Sequence, residues 1–300
     1  MKITVTGATG LIGTRLVEAL KARGDEVTVL SRSPERASAA LGVEAFAWDP
    51  VSGAPPVEAV AGRDAVVHLA GEPVAQRWNA KTKQAIHDSR ELGTRNLVEA
   101  LAAADPRPTT LVSSSAVGYY GKHGDDLVTE ETAAGRDFLA EVCVAWENEA
   151  TKAQSLGVRV VLIRTGVVLD ATGGALKTML PPFKAGVGGA VAGGKQYMPW
   201  IHVDDIVGLY LAALDSADWS GPVNGTAPEP VTNAEFSKAL GKALKRPAVF
   251  PVPGFAIRAL YGEMAEIVTE GQRAVPRVAQ ANGYEYQHPD LTEALRSALA

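Results

Sequence analysis

The chain has 300 residues, enough for one large domain or for one domain with a small appendage. Its 46% hydrophobic and 21% charged residues fit a soluble α/β protein, and 29 basic against 34 acidic side chains leave a net charge of -5, with no basic cluster to follow a nucleic-acid backbone. The single cysteine, Cys143, excludes an intrachain disulfide, no Cys/His cluster suggests a metal, and no run of about eighteen apolar residues would span a membrane; with a strand where a signal peptide would stand, a cytoplasmic protein is expected.

The β-branched run Lys2-Ile3-Thr4-Val5 predicts a strand feeding Thr6-Gly7-Ala8-Thr9-Gly10-Leu11-Ile12-Gly13, and Leu11, Ile12, Leu16, Val17 and Leu20 recur at helical spacing. Glycines in a strand-turn-helix unit allow a tight turn, bare backbone against a pyrophosphate and close helix-strand packing, while the first-turn amides hold the phosphates. Gly7, Thr9, Gly10, Leu11, Ile12 and Gly13 are therefore candidate dinucleotide contacts, the alternative being a purely structural turn. The second strand, Glu26 to Leu30, runs into Ser31-Arg32-Ser33-Pro34-Glu35-Arg36, with Ser33 placed to cap a helix that has Pro34 in its first turn. An acid at this strand end would favour NAD(H); Ser31, Arg32 and Arg36 favour the 2′-phosphate of NADP(H), unless the arginines are merely solvated.

A third strand, Ala45 to Trp48, ends at Asp49, which either meets the adenine or forms a turn before Pro50. The fourth, Ala65 to Gly71, is continuously apolar apart from His68, read as a core histidine rather than a catalyst. Beyond it lie Glu72 and Trp78 on a loop, then a helix from about Lys81 to Ala103 carrying Ser89 and Arg90, which reaches the cofactor phosphates or a surface ion pair. The fifth strand, Thr110 to Ser113, leads into Ser114-Ser115-Ala116-Val117-Gly118-Tyr119-Tyr120-Gly121. A helix over about 136–155 and a sixth strand, Val158 to Ile163, continue the alternation of a doubly wound parallel sheet. Residues 170–200 read as a glycine-rich, substrate-side insertion holding Met179 and followed by Trp200. A helix from Ile206 to Leu214 follows, with Asp204 and Asp205 as caps, then a last strand, Pro222 to Gly225. Thr232 with Glu235, and Asp290 with Glu293, start two more helices. The expected division is a nucleotide-binding domain over 1–250 and a small C-terminal domain over 251–300.

Together, Thr6-Gly7-x-x-Gly10-x-x-Gly13, His68-Leu69-Ala70-Gly71, Ser113-Ser114-Ser115 with Tyr120-Gly121, and Trp200-Ile201-His202-Val203-Asp204-Asp205 resemble the extended or atypical short-chain dehydrogenase/reductases of the NAD(P)-dependent epimerase/dehydratase superfamily. Ala70-Gly71-Glu72-Pro73, Ser89-Arg90, Gly173-Gly174-Ala175 and Met179-Leu180-Pro181-Pro182-Phe183 narrow the resemblance to the "epimerase family" subgroup, which has its own C-terminal domain. The resemblance implies a Rossmann fold, an NADP(H) site that also draws on Leu69, Ala70, Gly71, Arg90, Ser113, Arg164 and Gly166, a substrate pocket with Trp78, Met179 and Trp200, and a homodimer as in many members. It also implies a Ser at the end of the fifth strand, matched by Ser115, and a Tyr-x-x-x-Lys pair in the next helix. That pair is missing: Asp137-Phe138-Leu139-Ala140-Glu141-Val142-Cys143-Val144 supplies no such acid or base. Tyr119, Tyr120 and Glu72 are the nearest substitutes. Two functions follow: an oxidoreductase or epimerase with a different acid, or an NADP(H)-binding sensor without chemistry.

Overall fold

In the computed structural model, which describes residues 1–300, seven predicted runs become the strands of one sheet. They are β1 (Lys2–Thr6), β2 (Glu26–Ser31), β3 (Glu44–Ala47), β4 (Ala65–His68), β5 (Thr110–Ala116), β6 (Arg159–Thr165) and β7 (Gly221–Gly225). Their order is β3-β2-β1-β4-β5-β6-β7, and every pairing is parallel. The chain steps outward from β1 to β2 and β3, then returns to lay β4 against the other side of β1. That reversal opens a crevice above the carboxyl ends of β1 and β4, where open α/β sheets bind ligands.

Both faces of the sheet are covered, which is why its strands read as unbroken apolar runs rather than alternating ones. On one face, Ile3, Val5, Val29 and Val112 pack under α1 (Leu11–Ala22) and α6 (Val203–Asp215). On the other, Val66, Leu111 and Val160 pack under α3 (Ala80–Ala103) and α4 (Phe138–Thr151), while α2 (Pro34–Leu41) covers the β2–β3 edge. A separate core of Leu176, Leu180, Trp200, Phe236, Leu240 and Leu295 joins α5 (Gly174–Lys184), α7 (Asn233–Leu244) and the closing helix Leu291–Ala298. α8 (Gly254–Tyr261) buries none of its residues, and Phe255 is 78% and Leu260 66% exposed. No helix is long and apolar enough to cross a membrane.

Local sequence accounts for most of the helix starts. Thr232 and Glu235 form the reciprocal capping box at α7, and Asp290 accepts from the Glu293 amide. At α6 the expectation is corrected. His202 is the N-cap, its Nδ1 accepting from the Asp204 amide, while the buried Asp205 carboxylate accepts the Gln287 and His288 amides and ties the C-terminal segment to the sheet. At α2, Ser33 occupies the cap position without a side-chain bond, and its own amide donates to Ser31 Oγ.

Candidate active site: the crevice above β1 and β4

The glycine turn is as tight as its sequence requires. Gly7 adopts φ +66°, and a Cβ there would lie 2.6 Å from the Leu69 carbonyl carbon. A Cβ on Gly13 would lie 2.4 Å from the Gly7 oxygen, so only glycine lets α1 come this close to the turn. Gly10 is the N-cap of α1 and, having no side chain, contributes no capping bond; the first turn also lacks an acid. The amides of Leu11 and Ile12 and the positive dipole end are thus open toward the crevice, the arrangement an anion needs. The turn at Gly173 and Gly174 packs on the Leu11 side chain, closing the crevice from the insertion side.

A hydrogen-bonded chain holds the opposite wall. The amides of Leu69 and Ala70 both donate to Thr6 Oγ1, leaving that hydroxyl's proton for His68 Nδ1 at 2.8 Å; His68 Nε2 then donates to Thr94 Oγ1 at 3.1 Å. Burial, helped by the nearby Arg90 charge, drives the His68 pKa down to about 3, so the ring is neutral and this tautomer is fixed. His68 is the core histidine its apolar strand predicts. Its role is to set Leu69, Ala70 and Gly71 at the edge of the crevice.

At the end of β2, Arg32 and Arg36 are exposed and neither is part of an ion pair; the arginines Arg15, Arg23 and Arg63 of the neighbouring elements all are. Two free guanidiniums lie one helical turn apart beside Ser31, as a 2′-phosphate would require. Asp49 belongs to a turn: its carboxylate accepts from the Val51 amide and the Ser52 hydroxyl.

Beyond β4, the Glu72 amide donates to Ser89 Oγ, and Glu72 Oε1 accepts from Gln76. Trp78 stands edge-on to Phe138 at 5.1 Å between ring centroids, at the start of α4, and donates to the Val74 carbonyl. Arg90 rises from α3 with Nη1 donating to the carbonyls of Glu72 and Ile86 and with its Cζ 5.0 Å from the Trp146 ring centre. Burial lowers its pKa. Arg90 is on the β4–β5 side of the crevice, across β1 from Arg32.

The end of β5 differs most from expectation. Ser115 is buried and donates to Glu147 Oε1 at 2.6 Å. Arg164 grips the same carboxylate with two bonds of 2.8 Å and donates from Nη1 to the Tyr120 hydroxyl at 3.0 Å and to the Glu130 carbonyl. Tyr120 is fully buried and donates to Asn224 Oδ1 at 2.6 Å; burial pushes its pKa up to about 12. Tyr120 as a proton donor to substrate and Arg164 as a cofactor contact are therefore corrected. Both are committed to a buried ionic network that pins β5, α4, β6 and β7 together. Ser113 is fully buried with its hydroxyl on the Ser114 carbonyl, and Gly166 serves packing, since a Cβ there would lie 2.0 Å from the Pro199 oxygen. Trp200 is likewise a core residue, 1% exposed and donating to the Glu229 carbonyl; Met179 is half-buried at the edge of the same core. Tyr119 remains. Its ring stacks on Arg164, 3.5 Å from Cζ, and its hydroxyl has no partner in the protein. From α4, Leu139 and Cys143 face Gly118, and burial pushes the Cys143 thiol to about 12.

Glu147, Glu130, Asn224 and Thr94 were not legible as parts of this site. Glu147 lies four residues after Cys143, so helical spacing could have placed it on the same face of α4. The other three come from distant elements with no local signal.

The profile of the NAD dependent epimerase/dehydratase family matches residues 3–224. The chain belongs to that family. A domain of unknown function (DUF1731) matches residues 252–298. Relatives include the chloroplastic epimerase family protein SDR39U1 homolog of Arabidopsis thaliana, 43% identical across 100% of this chain and 87% of its own length, and the human epimerase family protein SDR39U1, 37% identical with both chains covered entirely. The crystal structure of human SDR39U1 (isoform 2) with NADPH superposes with a TM-score of 0.88 at 36% identity over 99% of each chain. A nucleoside-diphosphate sugar epimerase from Corynebacterium glutamicum superposes at 0.80 with 35% identity, over 100% of this chain and 58% of that one. The fold is the Rossmann fold of this family, and the family is NAD(P)-dependent.

Proposed function

We propose that this family member is an NADP(H)-dependent oxidoreductase or epimerase acting on a small carbonyl or hydroxyl compound, with residues 1–250 binding the nucleotide and 251–300 forming the substrate-side lobe. The observation that carries this is the uncapped, acid-free N-terminus of α1 over its glycine turn, with the unpaired Arg32 and Arg36 one strand away. The NADPH bound in the human relative supports the same choice. In this reading the Leu11 and Ile12 amides take the pyrophosphate, and Arg32 and Arg36 take the 2′-phosphate. The nicotinamide, when bound, supplies or accepts a hydride. A substrate oxygen then needs a proton partner worth about 10²–10⁴ in rate. Tyr119 fills that role best, because its hydroxyl makes no hydrogen bond in the protein and its ring is held in place against the Arg164 guanidinium, 3.5 Å from Cζ. The Ser115 hydroxyl donates its hydrogen bond to Glu147, so toward a substrate its oxygen can only accept. Glu72 is a second candidate acid on the rim.

NADPH and NADH titrations of wild type and Arg32→Ala test the cofactor choice. NADPH is expected to bind more tightly than NADH, and Arg32→Ala to weaken NADPH alone, by about tenfold for one lost charge-assisted contact. Equal affinity for both nucleotides in both proteins would remove the 2′-phosphate assignment. One observation favours a second reading, a nucleotide-binding sensor: where α4 meets Gly118 at the end of β5 it presents Leu139 and Cys143 instead of an acid and a base. A carbonyl-substrate screen separates the two, since turnover that falls in Tyr119→Phe or Glu72→Gln belongs only to the enzyme.

A further inference from the structure

Arg90 is a cation without a counter-ion. One turn further along α3, Arg95 pairs with Glu91 at 2.6 Å and with Glu149 at 2.8 Å, whereas Arg90 has only the two carbonyl oxygens on Nη1. Its Nε and Nη2 bond to nothing in the protein, yet neither is among the sealed, unsatisfied polar atoms, so both keep some access to solvent beside the Gly71 backbone. The neighbouring thiol cannot supply the missing charge, because burial keeps Cys143 protonated to about pH 12. The Glu72 charge acts on Arg90 only through space: its Oε1 accepts from Gln76 and it forms no ion pair with the guanidinium. The position is a built one. A Cβ on Gly71 would lie 3.1 Å from Arg90 Cζ, so glycine lets the guanidinium lie flat against the backbone, with Trp146 on α4 as a further support.

The sheet order decides what anion belongs there. β2, with Arg32, is on one side of β1, and β4, whose loop carries Gly71, is on the other. A dinucleotide with its pyrophosphate on α1 and its 2′-phosphate on Arg32 has spent its anionic groups before it reaches Arg90. What remains on the β4–β5 side is the reacting end and the substrate. We propose that Arg90 is the receptor for an oxyanion group, carboxylate or phosphate, carried by the substrate, so that the carbonyl or hydroxyl compound handled here is an acid or a phosphate ester. The planar guanidinium fork matches either group with two parallel bonds, and the partner it lacks in the protein is the partner it keeps for the ligand. This rests on the dinucleotide reading of the crevice.

The test is calorimetric titration of the full chain with acetate, oxalate or inorganic phosphate at constant ionic strength, with and without saturating NADPH, in wild type, Arg90→Gln and Arg90→Lys. Wild type saturated with NADPH is expected to show one saturable anion site, and its absence would overturn the proposal. In the nucleotide-free protein the α1 N-terminus and Arg32 with Arg36 also take anions, so there only the difference between wild type and Arg90→Gln is read. Arg90→Gln should weaken it at least about tenfold while NADPH affinity stays within about twofold, and Arg90→Lys should recover part of the loss, since it keeps the charge and not the fork. Saturation by the carboxylates alone or by phosphate alone identifies which acid the substrate carries. Anion binding equal in wild type and Arg90→Gln would overturn the proposal. So would a parallel tenfold loss of NADPH affinity in Arg90→Gln, which would make Arg90 a cofactor residue. Should wild type bind no NADPH, the dinucleotide reading falls, and the nucleotide-free titrations still decide whether Arg90 receives an anion. Should Arg90→Gln not fold, the comparison of wild type with Arg90→Lys carries the test, and unchanged anion binding there overturns the proposal.

Discussion

Two buried histidines give this protein a sensitivity to acid that its surface charge does not. Burial depresses the folded pKa of His68 to about 3, and burial together with the adjacent His288 depresses that of His202 to about 4. An unfolded histidine titrates at about 6.5, so between that pH and the folded values the unfolded chain binds more protons than the folded one. Stability is therefore complete above pH 6.5 and lost as pH falls through that window, with a slope approaching about 1.4 kcal/mol per pH unit for each histidine. Chemical denaturation at a series of pH values should show this decline, and it should flatten in His68→Gln relative to wild type; an identical slope in both would mean that His68 is not the source. At the other end of the charge scale, Glu147 holds Arg164 and Ser115. Removing it strands a buried guanidinium, so Glu147→Ala is expected to cost about 3–5 kcal/mol, against about 1 kcal/mol for Ser115→Ala, in urea melts of the two variants. The sequence marked Ser115 and Tyr120 for catalysis and Arg164 for the cofactor, whereas the structure joins all three in one buried network. It did not show that they bond to one another, because that depends on which face of β5 and β6 meets α4.

At the level of elements, the glycine turn and α1 were readable because strand, turn and helix are contiguous and each local preference agrees with the fold. Boundaries were less so. β5 extends to Ala116, past the predicted Ser113, because its pairing with β6 continues through the serine run. The helix expected over 136–155 is α4 followed by the tighter turn Lys152–Leu156, which carries the chain into Gly157 at φ +80°. The turn also offers a clean comparison between two glycines. Gly13→Ala places a methyl group on the Gly7 carbonyl and forces α1 away from β1, so thermal stability and NADPH affinity should fall together. Gly24→Ala meets nothing within 4 Å and suffers only its φ of +85°, a strain of about 1 kcal/mol. Thermal scans with and without NADPH distinguish them: the ligand-induced shift should survive in Gly24→Ala and shrink in Gly13→Ala. A full ligand-induced shift in Gly13→Ala would mean that the close approach of helix to turn is not what binds the nucleotide.

Across the whole molecule, the C-terminal segment is fastened at a few polar points far from its start in sequence. Asp205 accepts the Gln287 and His288 amides, the Tyr284 hydroxyl donates to the Asp205 carbonyl, and Asn224 donates to the Val275 carbonyl. Asp205→Ala should therefore raise hydrogen exchange over 284–290 well before it affects β1 or β5, and uniform exchange would mean that lobe and sheet open as one unit. None of these fastenings was legible beforehand; the aspartates before α6 read as helix caps because Asp is a common capping residue, and their distant partners leave no trace nearby. α8 is fastened least of all. None of its eight residues is fully buried, and a helix that short is marginal in water without packing. It lies beside the rim after β4, where Lys83 pairs with Glu263 and Arg77 approaches Gly262. The wall of the crevice is thus densely hydrogen-bonded on the cofactor side and held on the other by a few ties, among them Lys83–Glu263 and Lys122–Glu270. A segment with so little buried surface opens at a smaller free energy than the sheet beneath it, so its amides should exchange hydrogen first.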